Sequence, residues 1–120
     1  MDRPLELVFH NMKGSDELDA LVRERARKLE HLYDHIIGCR VSVELKNNSQ
    51  RSALPEVHAE IQVPGQLLVA RHDESRARKL RREPDVQTSI RDAFDALAIQ
   101  LRDYKARRAA NVKAPIPAPE

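Results

Sequence analysis

The stretch that decides the fold covers residues 15–34 and reads SDELDALVRERARKLEHLYD. Its apolar residues recur at spacings of three, four and seven, which is the period of an amphipathic helix with one buried face. Ser15 suits the N-cap, and the acidic residues that follow it are favoured at the positive end of the helix dipole. The sequence therefore predicts a helix of about five turns. Its predicted buried stripe comprises Leu18, Leu21, Val22, Leu29 and Leu32.

Arg25 lies near the middle of this apolar stripe and not on the polar side of the helix. One interpretation is that its aliphatic stem packs along the edge of the core while the guanidinium reaches water. The other is that Arg25 and Lys28 point together at an anionic partner. The residues alone leave both interpretations open.

Alternating apolar and polar residues predict four strands. They cover Leu5–His10, Arg40–Leu45, Val57–Val63 and Leu67–Arg71. The first two flank the helix, so they should be parallel and joined by a right-handed crossover. The last two should form a hairpin, because Val63-Pro64-Gly65-Gln66 suits a type II turn. Each clear strand has one apolar and one polar face, so we expect helices to cover one side of the sheet.

A second long helix is predicted to begin at Pro84-Asp85, with Asp85 as its N-cap. Its predicted buried stripe comprises Val86, Ile90, Ala93, Phe94, Leu97, Leu101 and Tyr104. Gly38 is expected to take a positive φ where the first helix ends. The order β-α-β-β-β-α predicts an α+β fold, a two-layer sandwich in which a four-stranded sheet carries two helices on one face. Residues 46–55 are expected to form a loop. Residues 72–83 are expected to form a mobile, solvated loop, with a short helical turn as the alternative.

The composition predicts one domain, residues 1–110, with an aliphatic core. Only 3% of the 120 residues are aromatic, and the net charge is +2. Residues 111–120, NVKAPIPAPE, are expected to form a disordered proline-rich tail. Cys39 is the only cysteine, which favours a reducing compartment. Because no signal peptide and no long apolar run is evident, we expect a cytoplasmic protein without a membrane partner.

Motifs for catalysis or metal binding are weak. His31 and His35 have metal-ligand spacing, but Leu32 stands where an HExxH motif has glutamate, so both are interpreted as surface histidines. Cys39 has no CxxC partner and is interpreted as a small apolar residue. No GxGxxG, P-loop or nucleophile elbow occurs. We therefore expect no enzyme activity, no metal, no cofactor and no small-molecule substrate.

Clustered basic charge is the remaining signal. It is carried by the second half of the first helix and the end of the second, and it indicates either a solvated surface or a footprint for RNA phosphates. Aromatic residues are too few for stacking on single strands, so any nucleic acid would be structured RNA read by shape and phosphate. A further basic segment precedes the second helix and is a possible additional RNA contact that orders on binding. It comprises Arg76, Arg78, Lys79, Arg81 and Arg82.

Three segments resemble the short ribosome hibernation promoting factors and ribosome-associated inhibitors, the sigma-54 modulation protein family. They read LELVFHNM at residues 5–12, SDELDALVRERARKLEHLYDHI at 15–36 and DVQTSIRDAFDALAIQLRDYK at 85–105. The resemblance implies a fold similar to double-stranded-RNA-binding domains. It also implies binding to the small ribosomal subunit, to 16S rRNA and ribosomal proteins, near the mRNA and the A- and P-site tRNA positions. Such binding silences translation under stress or in stationary phase.

The resemblance also implies which residues bind rRNA. They are Arg25, Lys28, Lys105, Arg107 and Arg108. Relatives carry basic residues where this chain has Ala96, Ile99 and Asp103, so its second helix is less positive. The alternative is a divergent family member that acts as a protein-interaction module without ribosome binding, through the polar face of the sheet or the tail.

Overall fold

The structure is a computed structural model that describes residues 1–47, 53–73 and 86–113. The predicted α+β fold is confirmed: the described elements are a four-stranded open sheet and two helices in the order β-α-β-β-β-α. They are β1 (Glu6–His10), α1 (Asp16–Leu32), β2 (Gly38–Asn47), β3 (Ala53–Val63), β4 (Gln66–Asp73) and α2 (Val86–Lys113).

The strands lie in the order β1-β2-β3-β4, so β1 and β4 are the two edges of the sheet. β1 pairs with β2 in parallel, with Leu7 opposite Val41, as the crossover predicts. The other pairs are antiparallel, with Val41 opposite Ala59 and Ala59 opposite Ala70. Gly65, in the turn between β3 and β4, has φ +78°, which agrees with the predicted need for a positive φ there.

The core lies between the inner face of the sheet and the two helices. Its fully buried centre comes from the inward side chains of β2 and β3, and β4 adds two that are nearly so, Leu68 and Ala70. The fully buried residues are Val41, Val43, Val57, Ala59, Ile61 and Val63. Each such aliphatic side chain contributes about 1.5–3 kcal/mol. From α1 the core takes Val22, Ala26 and Leu29, of which Ala26 was not predicted. From α2 it takes the predicted stripe Ile90, Ala93, Phe94, Leu97, Leu101 and Tyr104, while Val86 is half-buried.

The start of α1 agrees with the sequence, but its end does not. Ser15 is the N-cap, and its Oγ accepts a hydrogen bond from the Leu18 N–H at 3.1 Å. The prediction of a positive φ at Gly38 is wrong, because the chain leaves α1 through an extended C-cap at Tyr33 and Gly38 begins β2. Apart from Gly65, the residue with positive φ in the described ranges is Asn11, at 57°, in the turn after β1.

Several element boundaries differ from the predictions. The first predicted loop is shorter, because β2 continues to Asn47 and β3 begins at Ala53. The hydrogen-bonded pairing of β2 with β3 extends beyond the residues whose apolar and polar side chains clearly alternate. β4 includes His72 and Asp73, and α2 continues to Lys113. The predicted N-cap Asp85, the basic segment 76–82 and residues 114–120 lie outside the described ranges, so the predictions made for them stay predictions.

Candidate nucleic-acid interface

The two helices lie side by side and run in the same direction. Near their starts, Gln87 donates a hydrogen bond from Nε2 to Oε1 of Glu17 at 2.8 Å. Near the end of α1, Nζ of Lys105 donates to the carbonyl oxygen of Leu32 at 3.0 Å. The basic second half of α1 therefore lies beside the basic part of α2.

A cleft of about 240 Å³ lies between the helices. Arg25 and Lys28 of α1 line it together with Arg102 of α2, and Asp95 is its one acidic lining residue. Its apolar lining comprises Leu29, Leu32, Phe94 and Ala98. Three cations against one carboxylate give the cleft a net positive charge beside an apolar wall.

Arg25 contributes an unpaired donor to this cleft. The residue is half-buried, which agrees with the interpretation that its stem packs at the core edge. Its Nε is buried and has no hydrogen-bond partner among the described residues. A buried N–H without an acceptor carries a desolvation cost. An anionic group entering the cleft could supply that acceptor, so the second interpretation of Arg25 stays open and is compatible with the first.

Lys28 and Arg102 complete the cationic lining. Nζ of Lys28 lies 3.5 Å from Oε1 of Glu24, and both side chains are more than half exposed, so this pair contributes little and exchanges readily. The exposed Arg102 makes no ion pair within the described part of the chain. Sequence reasoning did not select Arg102 as a site residue. The available signal was its spacing: Arg102 follows Ala98 by four and precedes Lys105 by three, so all three share one flank of α2.

The predicted rRNA-binding cations of α2 have different surroundings in the structure. Lys105 is bound to the end of α1. Arg107 is two residues later, a rotation of about 200°, and its guanidinium lies 3.5 Å from Asp103 on the other flank. Arg108 lies over the ring of Tyr104, with 5.5 Å between its Cζ and the ring centroid. The lining of the cleft therefore includes Arg25 and Lys28 of the predicted set, but not Lys105, Arg107 or Arg108.

The end of α2 that carries Arg108 is anchored to the sheet. The hydroxyl of Tyr104 donates to the carbonyl oxygen of Pro64, in the turn between β3 and β4, at 2.6 Å. The rings of Tyr104 and Tyr33 pack edge to face with centroids 5.6 Å apart. These contacts fix the position of the aromatic ring against which Arg108 packs.

The other predicted candidates do not form a site. His31 and His35 are exposed, and in the described ranges no three histidine, cysteine or acidic side chains are grouped so that they could hold a metal ion. Cys39 is buried, and burial raises the pKa of its thiol to about 12. The thiol is therefore protonated and packs as a small apolar group, as predicted. Neither described helix has the length and apolar composition required to span a bilayer.

Fold and site together define a small two-layer α+β domain with a cationic cleft between two parallel helices. Residues 5–109 match the model of the family described as sigma 54 modulation protein / S30EA ribosomal protein, and the chain belongs to that family.

Two solved structures have similar folds. A ribosomal subunit interface protein from Coxiella burnetii is 18% identical, with a TM-score of 0.66 over 85% of this chain and 97% of that chain. The N-terminal domain of Protein Y from Thermus thermophilus is 17% identical, with a TM-score of 0.65 over 82% of this chain and 94% of that chain. At these identities the likeness establishes the fold alone. Curated protein sequences include no significant match.

Proposed function

We propose that this protein is a ribosome-associated translation inhibitor, a hibernation factor of the cytoplasm. It binds the small ribosomal subunit near the mRNA and the A- and P-site tRNA positions and silences translation under stress. Its partners are 16S rRNA and ribosomal proteins. Membership of the sigma 54 modulation protein / S30EA ribosomal protein family supports the association with ribosomes.

The observation that carries the proposal is the cationic cleft between α1 and α2. Arg25, Lys28 and Arg102 line it, and the buried Nε of Arg25 lacks an acceptor. An rRNA phosphate would supply acceptor oxygens to these side chains. Charge-assisted hydrogen bonds to phosphate are stronger than neutral ones, and the displaced counterions favour association.

The charge on the opposite face of the molecule supports docking of rRNA on the helix layer. On the uncovered face of the sheet, among the residues whose side chains the structure describes, Arg40 and Arg71 are outnumbered by carboxylates. Those carboxylates belong to Glu6, Glu44, Glu56 and Glu60. A polyanion such as rRNA would be repelled from this face and attracted to the helix layer, so the helix layer is the side that docks on rRNA.

Because α2 of this chain departs from the family pattern, we place the proposed rRNA contact nearer to α1. Ile99 is 66% exposed, and Asp103 pairs with Arg107, so the outer face of α2 offers few free cations. Arg102, on the flank that faces α1, restores positive charge beside Arg25 and Lys28. We infer that rRNA contacts are centred on the cleft between the helices.

Co-sedimentation with small ribosomal subunits and inhibition of in vitro translation test the proposal. Arg25→Glu combined with Lys28→Glu should lower ribosome affinity at least tenfold and abolish inhibition. The matched control combines Arg27→Glu with Arg71→Glu, which changes the net charge equally at exposed positions outside the cleft. The control should keep most of the affinity, apart from a reduced long-range attraction.

Two results would contradict the proposal in different ways. Equal losses in both variants would mean that net charge, and not the cleft, determines binding. A wild-type protein that stays at the top of the gradient would favour the alternative, a protein-interaction module without ribosome binding.

A further inference from the structure

The two edges of the sheet differ in how their backbone groups are used. At β4 the side-chain amide of Gln100 donates from Nε2 to the carbonyl oxygen of Val69 at 2.7 Å, so α2 occupies part of that edge. At β1, in the described part of the chain, no side chain is bonded to the strand backbone and no further strand pairs with it. An open strand edge presents N–H and C=O groups that can pair with a strand from another molecule.

The apolar core is also thinner at β1. Leu7 and Phe9 point to the core side but are only half-buried, whereas Val41 and Val43, opposite them on β2, are 0% exposed. A strand added beside β1 would remove part of the remaining apolar surface of these two side chains from water. Burial of apolar surface would therefore favour pairing at this edge, in addition to the backbone hydrogen bonds.

We propose that β1 is a self-association surface, at which a second copy of this chain adds its own β1 in antiparallel orientation centred on Val8. The sequence of β1, ELVFH, is self-complementary in this register. Glu6 lies opposite His10 of the partner subunit, Leu7 lies opposite Phe9 of the partner subunit, and Val8 lies opposite its own copy. An imidazole N–H can donate to the carboxylate in either protonation state of the histidine.

The other registers are less favourable. A shift by two residues in either direction places Val8 opposite Glu6 or His10 of the partner subunit, so a polar group faces an apolar one. A parallel arrangement without a shift places the two Glu6 carboxylates side by side, and like charges directly opposite each other are destabilising. The antiparallel register centred on Val8 thus differs from these alternatives. It places the charged Glu6 opposite the polar His10 and places apolar residues opposite apolar residues.

The resulting dimer has a two-fold axis perpendicular to the sheet. Two four-stranded sheets then form a single sheet of eight strands. Side chains that are paired across the axis lie on the same side of that sheet. Both helix layers therefore lie on one side, and the two clefts that contain Arg25 face the same way. The shared edge is short, roughly 17 Å for five residues. The dimer should accordingly be weak and depend on protein concentration.

Sedimentation velocity of the full chain over a range of concentrations tests the proposal without ribosomes, so its result does not depend on the proposed function. The wild-type protein should show a reversible monomer–dimer equilibrium. Glu6→Lys places lysine opposite histidine and His10→Glu places glutamate opposite glutamate, so each should weaken the dimer about tenfold. The combination Glu6→Lys with His10→Glu should restore dimerisation, because lysine then faces glutamate.

Two controls show whether these effects are specific to the β1 edge. Gln66→Lys adds a cation at the β4 edge and should leave dimerisation unchanged. Glu6 also lies 3.7 Å from Arg40 in its own chain, so thermal melts of each variant confirm that the fold is retained. A wild-type protein that stays monomeric at high concentration would overturn the proposal. So would a dimer that is insensitive to Glu6→Lys, or a charge-swapped double variant that fails to recover.

Discussion

Lys105 on α2 donates a hydrogen bond from Nζ to the carbonyl oxygen of Leu32, in the last turn of α1, at 3.0 Å. The last carbonyls of a helix lack partners within it and carry the negative end of its dipole. A cation that family resemblance assigns to rRNA therefore also stabilises the end of α1 and its packing against α2.

Replacing Lys105 should accordingly affect stability. Lys105→Met keeps most of the aliphatic stem but removes the charge and the donor, so the free energy of unfolding should fall by about 0.5–1.5 kcal/mol. Urea denaturation measures this. Arg107→Met is the control, because its exposed ion pair with Asp103 should contribute only about 0–1 kcal/mol. Equal stability of the Lys105→Met variant and the wild type would contradict a capping role.

The hydroxyl of Tyr104 should also contribute to stability. Tyr104→Phe keeps the ring, and with it the packing against Tyr33 and Arg108, but leaves the carbonyl of Pro64 without its 2.6 Å donor. We expect a loss of about 1 kcal/mol, measurable by urea denaturation. A loss near zero would show that water replaces the hydroxyl at that carbonyl at no cost.

A side chain at position 14 should lower the free energy of unfolding. A Cβ at this position would lie 2.7 Å from Cδ2 and Cε2 of Phe9, so Gly14→Ala must displace that ring and should cost about 1–3 kcal/mol. The matched control is Gly38→Ala, where the nearest side-chain atoms, those of Arg3, would be at an ordinary 3.7 Å. Thermal and urea denaturation of both variants should show a clear loss for the first and little or none for the second.

Cys39 should make stability depend on alkaline pH. Burial raises the pKa of its thiol from 9.0 to about 12, so the unfolded chain loses the proton at lower pH than the folded protein does. Between these values the folded state binds more protons, and its stability should therefore fall as pH rises through this window. Cys39→Ala should show a smaller decrease over the same range. The wild-type thiol should also resist modification by thiol reagents at neutral pH until the protein unfolds.

Ribosome affinity should depend steeply on salt. If Arg25, Lys28, Arg102 and Lys105 each neutralise one phosphate, the logarithm of the association constant should fall with the logarithm of salt concentration at a slope of roughly −3 to −4. Arg102→Ala should reduce the magnitude of that slope by about 1. A slope that is unchanged in this variant would remove Arg102 from the contact, and a flat dependence would remove the phosphate footprint altogether.

Much of this fold could be predicted from the sequence, because the rules that specify it act over a few residues. Alternation over residues 41–45 and 57–63 indicated two strands, and both are present with their apolar residues inward. Ser15 and Gly65 marked a helix start and a turn for reasons of local hydrogen bonding and backbone conformation. Gly38 was misassigned because glycine permits a positive φ without requiring one.

The candidate site depended on tertiary structure. The sequence by itself determined which segments are basic and that Arg25 lies near the apolar stripe of its helix. Only the packing of α1 beside α2, in the same direction, brings Arg25 and Arg102 to one cleft and separates Arg107 from it. The physical reason is that each helix is oriented by burying its own apolar stripe against the sheet. The flank that then faces the neighbouring helix follows from both burials together, which no local pattern in either helix specifies.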